Sequence, residues 1–230
     1  MHQHIGIVAC SAEGAALCYR TICLEGEQQL GRHDHPEVSL HTHSLATYMH
    51  RIYANDWPGV AELMLSSAGK LANAGADFLI CPDNTIHQAF DLVEHRSPRP
   101  WLHIAQQVAD EAQRLRYRRL GVLGTRYLME SQVYPGKLQS AGLEYRIPGA
   151  SEREKINQII FDELVHAQVT PRSAAYFTEV IRNLAGLGCD AVVLGCTEIP
   201  LIVTPESSPL PVLDSTRLLA RAALRKATAV

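Results

Sequence analysis

The sequence predicts an α/β fold of two pseudo-symmetric lobes, each a mostly parallel sheet flanked by helices. Three observations predict it. Short apolar runs alternate with amphipathic stretches of helical length along the whole chain, a pattern that builds parallel sheets covered on both faces. Next comes an internal echo. Gly75-Ala76-Asp77-Phe78-Leu79-Ile80-Cys81-Pro82-Asp83 is matched by Gly188-Cys189-Asp190-Ala191-Val192-Val193-Leu194-Gly195-Cys196, and Gly75 to Gly188 and Asp83 to Cys196 are each 113 residues apart. His4-Ile5-Gly6-Ile7-Val8-Ala9-Cys10-Ser11 against Arg119-Leu120-Gly121-Val122-Leu123-Gly124-Thr125-Arg126 repeats the relation at the start of each half. Lastly, Cys10, Asp83, Thr125 and Cys196 all fall at predicted carboxyl ends of strands, where parallel sheets bind ligands. The expected lobes are 1–100 with 208–230, and 101–207, with the active site in the cleft between them.

In the first half, residues 5–9 read as a buried strand and the following stretch to about residue 30 as a helix. Residues 38–42 form the next strand. From 57 to 71, Val60, Leu63, Met64, Ala68 and Leu71 recur at helical intervals. Residues 78–81 make a strand that Pro82 stops, and a short helix covers 88–93 before Pro98 and Pro100.

The pattern then restarts. A helix spans 105–115, a strand 120–124, helices surround 127–140, and a short strand covers 143–147. Ser151-Glu152-Arg153-Glu154 has the form of a capping box ahead of a helix over 156–165. A helix over 173–187, a strand over 191–194, a strand over 210–213 and a closing helix from Ser215 complete the chain.

The bulk numbers narrow the function. A chain of 230 residues with 47% hydrophobic composition buries a sizeable core. A net charge of −3 gives no preference for nucleic acid or an acidic membrane, and no apolar run has the length of a spanning helix. The stretch from Met1 is expected to run directly into a strand, without the pattern of a signal peptide. Six cysteines without paired spacing do not form a disulfide framework, so a reducing, cytoplasmic setting is expected. Single scattered glycines, with no GxGxxG or P-loop, leave nucleotide binding without support. His33-Asp34-His35 and His41-Thr42-His43 invite a metal reading, but no spacing supplies matching ligands, and no metal is expected.

Several stretches resemble a known family. Asn84-Thr85-Ile86-His87 and Gly195-Cys196-Thr197-Glu198-Ile199-Pro200 are similar to the two active-site signatures of the aspartate/glutamate racemases. The resemblance extends to Leu123-Gly124-Thr125-Arg126-Tyr127-Leu128-Met129-Glu130, to Glu154-Lys155-Ile156-Asn157-Gln158-Ile159-Ile160-Phe161 and to Leu213-Asp214-Ser215-Thr216, with particular similarity to the bacterial L-aspartate/glutamate-specific branch. It covers essentially the whole chain. It implies two similar α/β lobes, racemisation of acidic amino acids without pyridoxal phosphate or metal, a small amino or carboxylic acid as the substrate, and a homodimer. The family usually employs two cysteines. The second signature places one at Cys196, whereas the place before Asn-Thr in the first is filled here by Asp83.

Position and resemblance together nominate the site. Cys196, ahead of an expected helix start at Thr197-Glu198, is the candidate acid/base, since a helix N-terminus favours a thiolate. Asp83 is the opposed acid or an electrostatic substitute, and two such groups across a cleft would exchange protons with opposite faces of one carbon. Asn84, Thr85, Thr125 and Thr197 are candidate contacts for the substrate carboxylate and ammonium, with Ser11 from the first strand end and Cys10 as a possible substitute thiol beside it. Cys81 is a further possible substitute. Lys155 lies in a matched motif and would reach a distal carboxylate. Residues 41–51 depart from the acidic-substrate pattern and are expected to set side-chain specificity.

Each has a plainer reading beside it. A cysteine at a strand end is often core, Asp83 before Asn84 fits a turn or cap, His87 suits packing as well as polarising the site, and Lys155 fits a solvated helix face. Rival functions are a same-fold, single-thiol decarboxylase or cis–trans isomerase of a small carboxylic acid, and a non-catalytic binder of small acids.

Overall fold

The structure, a computed structural model, describes residues 2–229. The chain divides into two compact units, residues 1–104 with 216–230 and residues 105–215. Each holds one four-stranded, all-parallel sheet.

In the first unit the elements are β1 (Ile5–Ala9), α1 (Ala12–Leu30), β2 (Val38–Thr42), α2 (Leu45–Tyr53), α3 (Trp57–Asn73), β3 (Phe78–Ile80), a 3₁₀ turn Thr85–Ala89, α4 (Phe90–Val93) and β4 (Trp101–Leu102). In the second they are α5 (Ile104–Arg114), β5 (Arg119–Leu123), α6 (Arg126–Met129), α7 (Val133–Ser140), β6 (Glu144–Arg146), α8 (Ala150–Asp162), α9 (Pro171–Gly186), β7 (Ala191–Leu194) and β8 (Val212–Asp214). The chain closes with α10 (Ser215–Thr228). The sheet orders are β2-β1-β3-β4 and β6-β5-β7-β8. The same order in both units is the repeat that the sequence carries.

The Gly-x-Asp part of that repeat has a mechanical role in each unit. Gly75 and Gly188 end the preceding helices with φ of 99° and 81°, a left-handed conformation that costs glycine little. Two residues on, the aspartates take up backbone N–H groups of the neighbouring strand. Asp77 Oδ2 accepts from the His4 N–H at 2.7 Å, and Asp190 accepts from the N–H groups of Arg118 at 2.7 Å and Arg119 at 3.1 Å. Each aspartate N–H donates back across the sheet, to the carbonyls of His4 and Arg119 respectively, at 2.9 Å. The motif therefore sets the register of β3 on β1 and of β7 on β5.

The helices begin where local chemistry allows. Ser11 caps α1 by accepting from the Gly14 N–H, Asp56 caps α3 through the Gly59 N–H at 2.8 Å, and Thr170 caps α9 ahead of Pro171. The capping at α8 differs from expectation. Gly149, not Ser151, is the cap residue, and the Glu152 carboxylate accepts from its N–H at 2.8 Å. A glycine has no side chain to return the bond, so only half of a capping box forms.

The central strands β1, β3 and β7 are buried along their whole length. Ile5, Ile7, Phe78 and Ile80 pack with Cys18 and Ile22 of α1 and with Leu219, Ala220 and Ala223 of α10. In the second unit Leu123, Val192 and Leu194 pack with Ile156 and Ile159 of α8 and with Phe177, Ile181 and Leu184 of α9. Each fully buried aliphatic side chain contributes about 1.5–3 kcal/mol relative to exposure. Residues 208–215, which the sequence reading grouped with the first lobe, carry β8, the edge strand of the second sheet, while β4 at 101–102 completes the first. Helix α2 went unnoticed in the sequence, and the expected helix over 88–93 is split into a 3₁₀ turn and α4. Among the described residues no helix is long and apolar enough to cross a membrane.

Candidate active site

In the first unit the nominated residues gather at the carboxyl ends of two adjacent strands. Parallel pairing of Ile7 with Ile80, carried past the strand ends, puts Cys10 level with Asp83. Cys10 is buried, and Ser11 beside it spends its hydroxyl as an acceptor for the Gly14 N–H. Asp83 and Thr85 are part-exposed and Asn84 is buried. Asp83 Oδ1 accepts from the Ile86 N–H at 3.3 Å, so its capping role is present.

His87 braces this loop. Its Nδ1 donates to the Asp83 carbonyl at 2.7 Å, and its Nε2 accepts the Ile104 N–H at 3.4 Å. That pairing fixes a neutral ring with the proton on Nδ1. The ring is 3% exposed, stacks on Phe90 at 5.5 Å and meets His103 edge-on at 4.7 Å. His87 therefore holds the backbone of Asp83 in place. Cys81 sits beneath, fully buried; burial pushes its thiol well up, with the Asp83 carboxylate adding to the shift. A thiol kept protonated in this way is a poor substitute base.

The second unit repeats the arrangement. Leu123 pairs with Leu194, which puts Gly124 level with Gly195 and Thr125 level with Cys196. The two glycines allow a tight approach. A Cβ on Gly195 would lie 2.7 Å from the Leu123 carbonyl, and one on Gly124 would lie 3.1 Å from the Gly195 carbonyl. Thr125 caps α6 by accepting from the Leu128 N–H at 3.2 Å. The Ser215 hydroxyl donates to the Leu194 carbonyl at 2.8 Å.

Cys196 lies at the top of β7, 9% exposed. No α-helix starts at Thr197-Glu198, where one was expected to favour a thiolate; only a 3₁₀ turn, Ile199–Leu201, follows. A carboxylate takes its place. Cys196 Sγ donates to Glu198 Oε2 at 2.9 Å, and Thr197 Oγ1 donates to the same oxygen at 2.6 Å. Glu198 is itself only 6% exposed. A buried carboxylate needs such donors, and here the thiol and the threonine hydroxyl supply them.

Lys155 is exposed on α8 and its Nζ donates to Gln158 Oε1 at 3.0 Å, beside a groove formed with Glu163, Arg172 and Tyr176. Asn157 of the same motif is the residue that reaches the strand-end loop, where its Oδ1 accepts from the Arg126 N–H at 2.9 Å, and Glu154 pairs with Arg126 at 3.0 Å. Glu198 and Asn157 both stand inside the motifs of the resemblance, and the sequence alone nominates neither. The signal for Glu198 was an acidic residue two places after a cysteine in an otherwise apolar stretch.

The histidine-rich strand β2 serves other ends. His41 Nδ1 bonds Ser67 Oγ at 2.9 Å and its Nε2 accepts from Lys70 Nζ at 3.0 Å, so both ring nitrogens are engaged. Among the described residues no group of three or more His, Cys, Asp or Glu side chains is placed to hold a metal ion.

Two four-stranded parallel sheets built to one plan make this an α/β protein with the two-domain fold of the racemases. Residues 16–223 match the Asp/Glu/hydantoin racemase family, and the chain belongs to that family of isomerases. It is similar to a Yersinia pestis protein classed among the Asp/Glu racemases, with 31% identity, a TM-score of 0.90 and coverage of 98% of this chain and 99% of that one. PH1733, an aspartate racemase homologue from Pyrococcus horikoshii OT3, shares 26% identity with a TM-score of 0.84, over 99% of this chain and 100% of that one. The broad specificity amino-acid racemase RacX of Bacillus subtilis (strain 168) is 25% identical over 190 residues, 82% of this chain and 80% of that one.

Proposed function

We propose that this protein interconverts the L- and D-forms of an acidic amino acid, with Cys196 and Asp83 as the two proton carriers. The observation that carries the reading is the Cys196 thiol, set at a strand end and bonded to a buried carboxylate at 2.9 Å. Glu198 takes the thiol proton, and the resulting thiolate removes the α-proton of the substrate. The carbanion is reprotonated on its other face by Asp83 in its carboxylic-acid form. In the opposite direction Asp83 removes the proton and the Cys196 thiol returns one, Glu198 keeping that thiol supplied. Asn84, Thr85, Thr125 and Thr197 offer hydroxyl, amide and backbone N–H donors for the substrate carboxylate. In this reading the reaction needs neither pyridoxal phosphate nor a metal, and the active form is a homodimer.

The substitution of a carboxylate for a thiol at Asp83 favours a second reading, a single-thiol decarboxylase or cis–trans isomerase of a small carboxylic acid. Proton NMR in D₂O separates them. Purified protein is incubated with L- and D-aspartate, L- and D-glutamate and a wide panel of other amino acids, because one relative is named for broad specificity. Loss of the α-proton signal with appearance of the other enantiomer is expected. Exchange without inversion would remove Asp83 from the proton path, and no exchange with any amino acid would overturn the racemase reading in favour of the second.

A further inference from the structure

The phenol of Tyr48 stands out from everything described so far. Tyr48 projects from α2, in the segment 41–51, and is 0% exposed. Among the described residues its hydroxyl is the one buried side-chain polar atom with no hydrogen-bond partner. Ser67 is near enough to lower the phenol's pKa, yet the Ser67 hydroxyl faces His41 Nδ1 at 2.9 Å and leaves the phenol without a bond of acceptable geometry. Burial of an unbonded hydroxyl is costly, and phenylalanine would fill the same space without that cost.

The surroundings indicate what the hydroxyl is for. Cys81, Cys10 and Asp83 all act on it electrostatically, so it lies among the carboxyl ends of β1 and β3. Thiols are weak acceptors, and the Cys81 thiol is directed at the Asp83 carbonyl at 3.7 Å. The same cluster reaches solvent through the part-exposed Asp83 and Thr85.

Resting on the racemase reading, we infer that the Tyr48 hydroxyl is a hydrogen-bond donor held for the carboxylate of a bound amino acid at the strand ends carrying Cys10, Cys81 and Asp83. Burial, reinforced by Cys81 and Cys10, pushes the phenol far above its ordinary range, which keeps the proton in place and makes the group a donor at any working pH. A hydrogen bond from a buried donor to an anion is stronger than one between neutral groups. Tyr48 is in this sense a substrate-binding residue and not a proton carrier.

The test compares wild type with Tyr48→Phe in two ways. Melting temperatures are read without ligand and with aspartate, glutamate or succinate, and KM and kcat are read from racemisation. The Phe variant is expected to melt no lower than wild type. Its ligand-induced shift should shrink and its KM rise about tenfold to a hundredfold with kcat little changed. Equal KM and equal shifts would overturn the inference, as would a lower melting point without ligand, which would mean that the hydroxyl already serves the fold. If wild type is protected by these acids but racemises no amino acid, the racemase reading fails while the loss of protection in the variant still supports the donor. A wild type that none of the acids protects and that turns over nothing would overturn both.

Discussion

The Cys196 thiol donates to the Glu198 carboxylate at 2.9 Å, and Thr197 converges on the same oxygen at 2.6 Å. A neutral amide at 198 would still accept from the thiol but would not take its proton. Glu198→Gln is therefore expected to fold normally, which circular dichroism and melting would show, and to lower kcat about 100-fold or more in the direction that uses the thiolate. Cys196→Ala should abolish turnover in both directions. An active Cys196→Ala protein would sink the mechanism, and an undiminished Glu198→Gln protein would reduce Glu198 to a packing residue.

Asp83 holds the place that the family usually gives to a thiol. Its Oδ1 bond to the Ile86 N–H is a capping contact, and a cysteine there would lose that bond but regain the family's second proton carrier. Asp83→Cys is expected to keep or raise the racemisation rate. Asp83→Ala should stop inversion while α-proton exchange at Cys196 continues for one enantiomer, as read by NMR in D₂O. Inversion at the wild-type rate in Asp83→Ala would exclude Asp83 as a proton carrier.

What was legible in the sequence follows from what is local. Periodicity and the 113-residue echo specify the sheet plan because Gly75, Asp77, Gly188 and Asp190 act through bonds to nearby backbone. Cys196 and Asp83 stood out because both end strands. Glu198 did not, because its significance lies in burial and in a side-chain rotamer that turns it back on the thiol, which spacing does not reveal. Tyr48 escaped notice for a similar reason. Helix α2 lies in the segment expected to set specificity, but that its phenol is buried without a bond is a matter of tertiary packing that spacing does not reveal. The motif that nominates Lys155 lies on α8, and there it is Asn157 that bonds the strand-end loop, through the Arg126 N–H, a side-chain contact that spacing does not reveal.

Gly195 joins the end of β7 to Cys196. A Cβ there would lie 2.6 Å from Leu128 Cδ2 and 2.7 Å from the Leu123 carbonyl, which is also the acceptor for the Gly195 N–H at 2.8 Å. A leucine methyl can swing away, but that carbonyl is fixed by the sheet. Gly195→Ala should cost about 1–3 kcal/mol of stability in a denaturant titration and depress kcat by moving Cys196. Gly136→Ala is the control, because nothing lies within 4 Å of its added methyl and it sits inside α7; that variant should be neutral or slightly more stable. Equal behaviour of the two would refute the close-approach argument.

The paired histidines of β2 give the fold a pH dependence of definite sign. Burial, Lys70 and the neighbouring ring push His41 below its ordinary value, and burial with Lys70 does the same to His43. In the unfolded chain both titrate near about 6.5. Between the lowered folded values and that point the unfolded state binds more protons, so stability rises with pH there. The stabilisation is complete above the unfolded value, is lost as pH falls through it, and is gone below the folded values. Melting temperature should accordingly drop on acidification from neutral pH toward the folded values, and His41→Gln with His43→Gln should flatten this part of the profile. The doubly substituted protein must still fold for the comparison to count, and Gln at 41 can keep a bond to Ser67, which His41 Nδ1 makes at 2.9 Å. A slope that survives both substitutions would assign the effect to other groups.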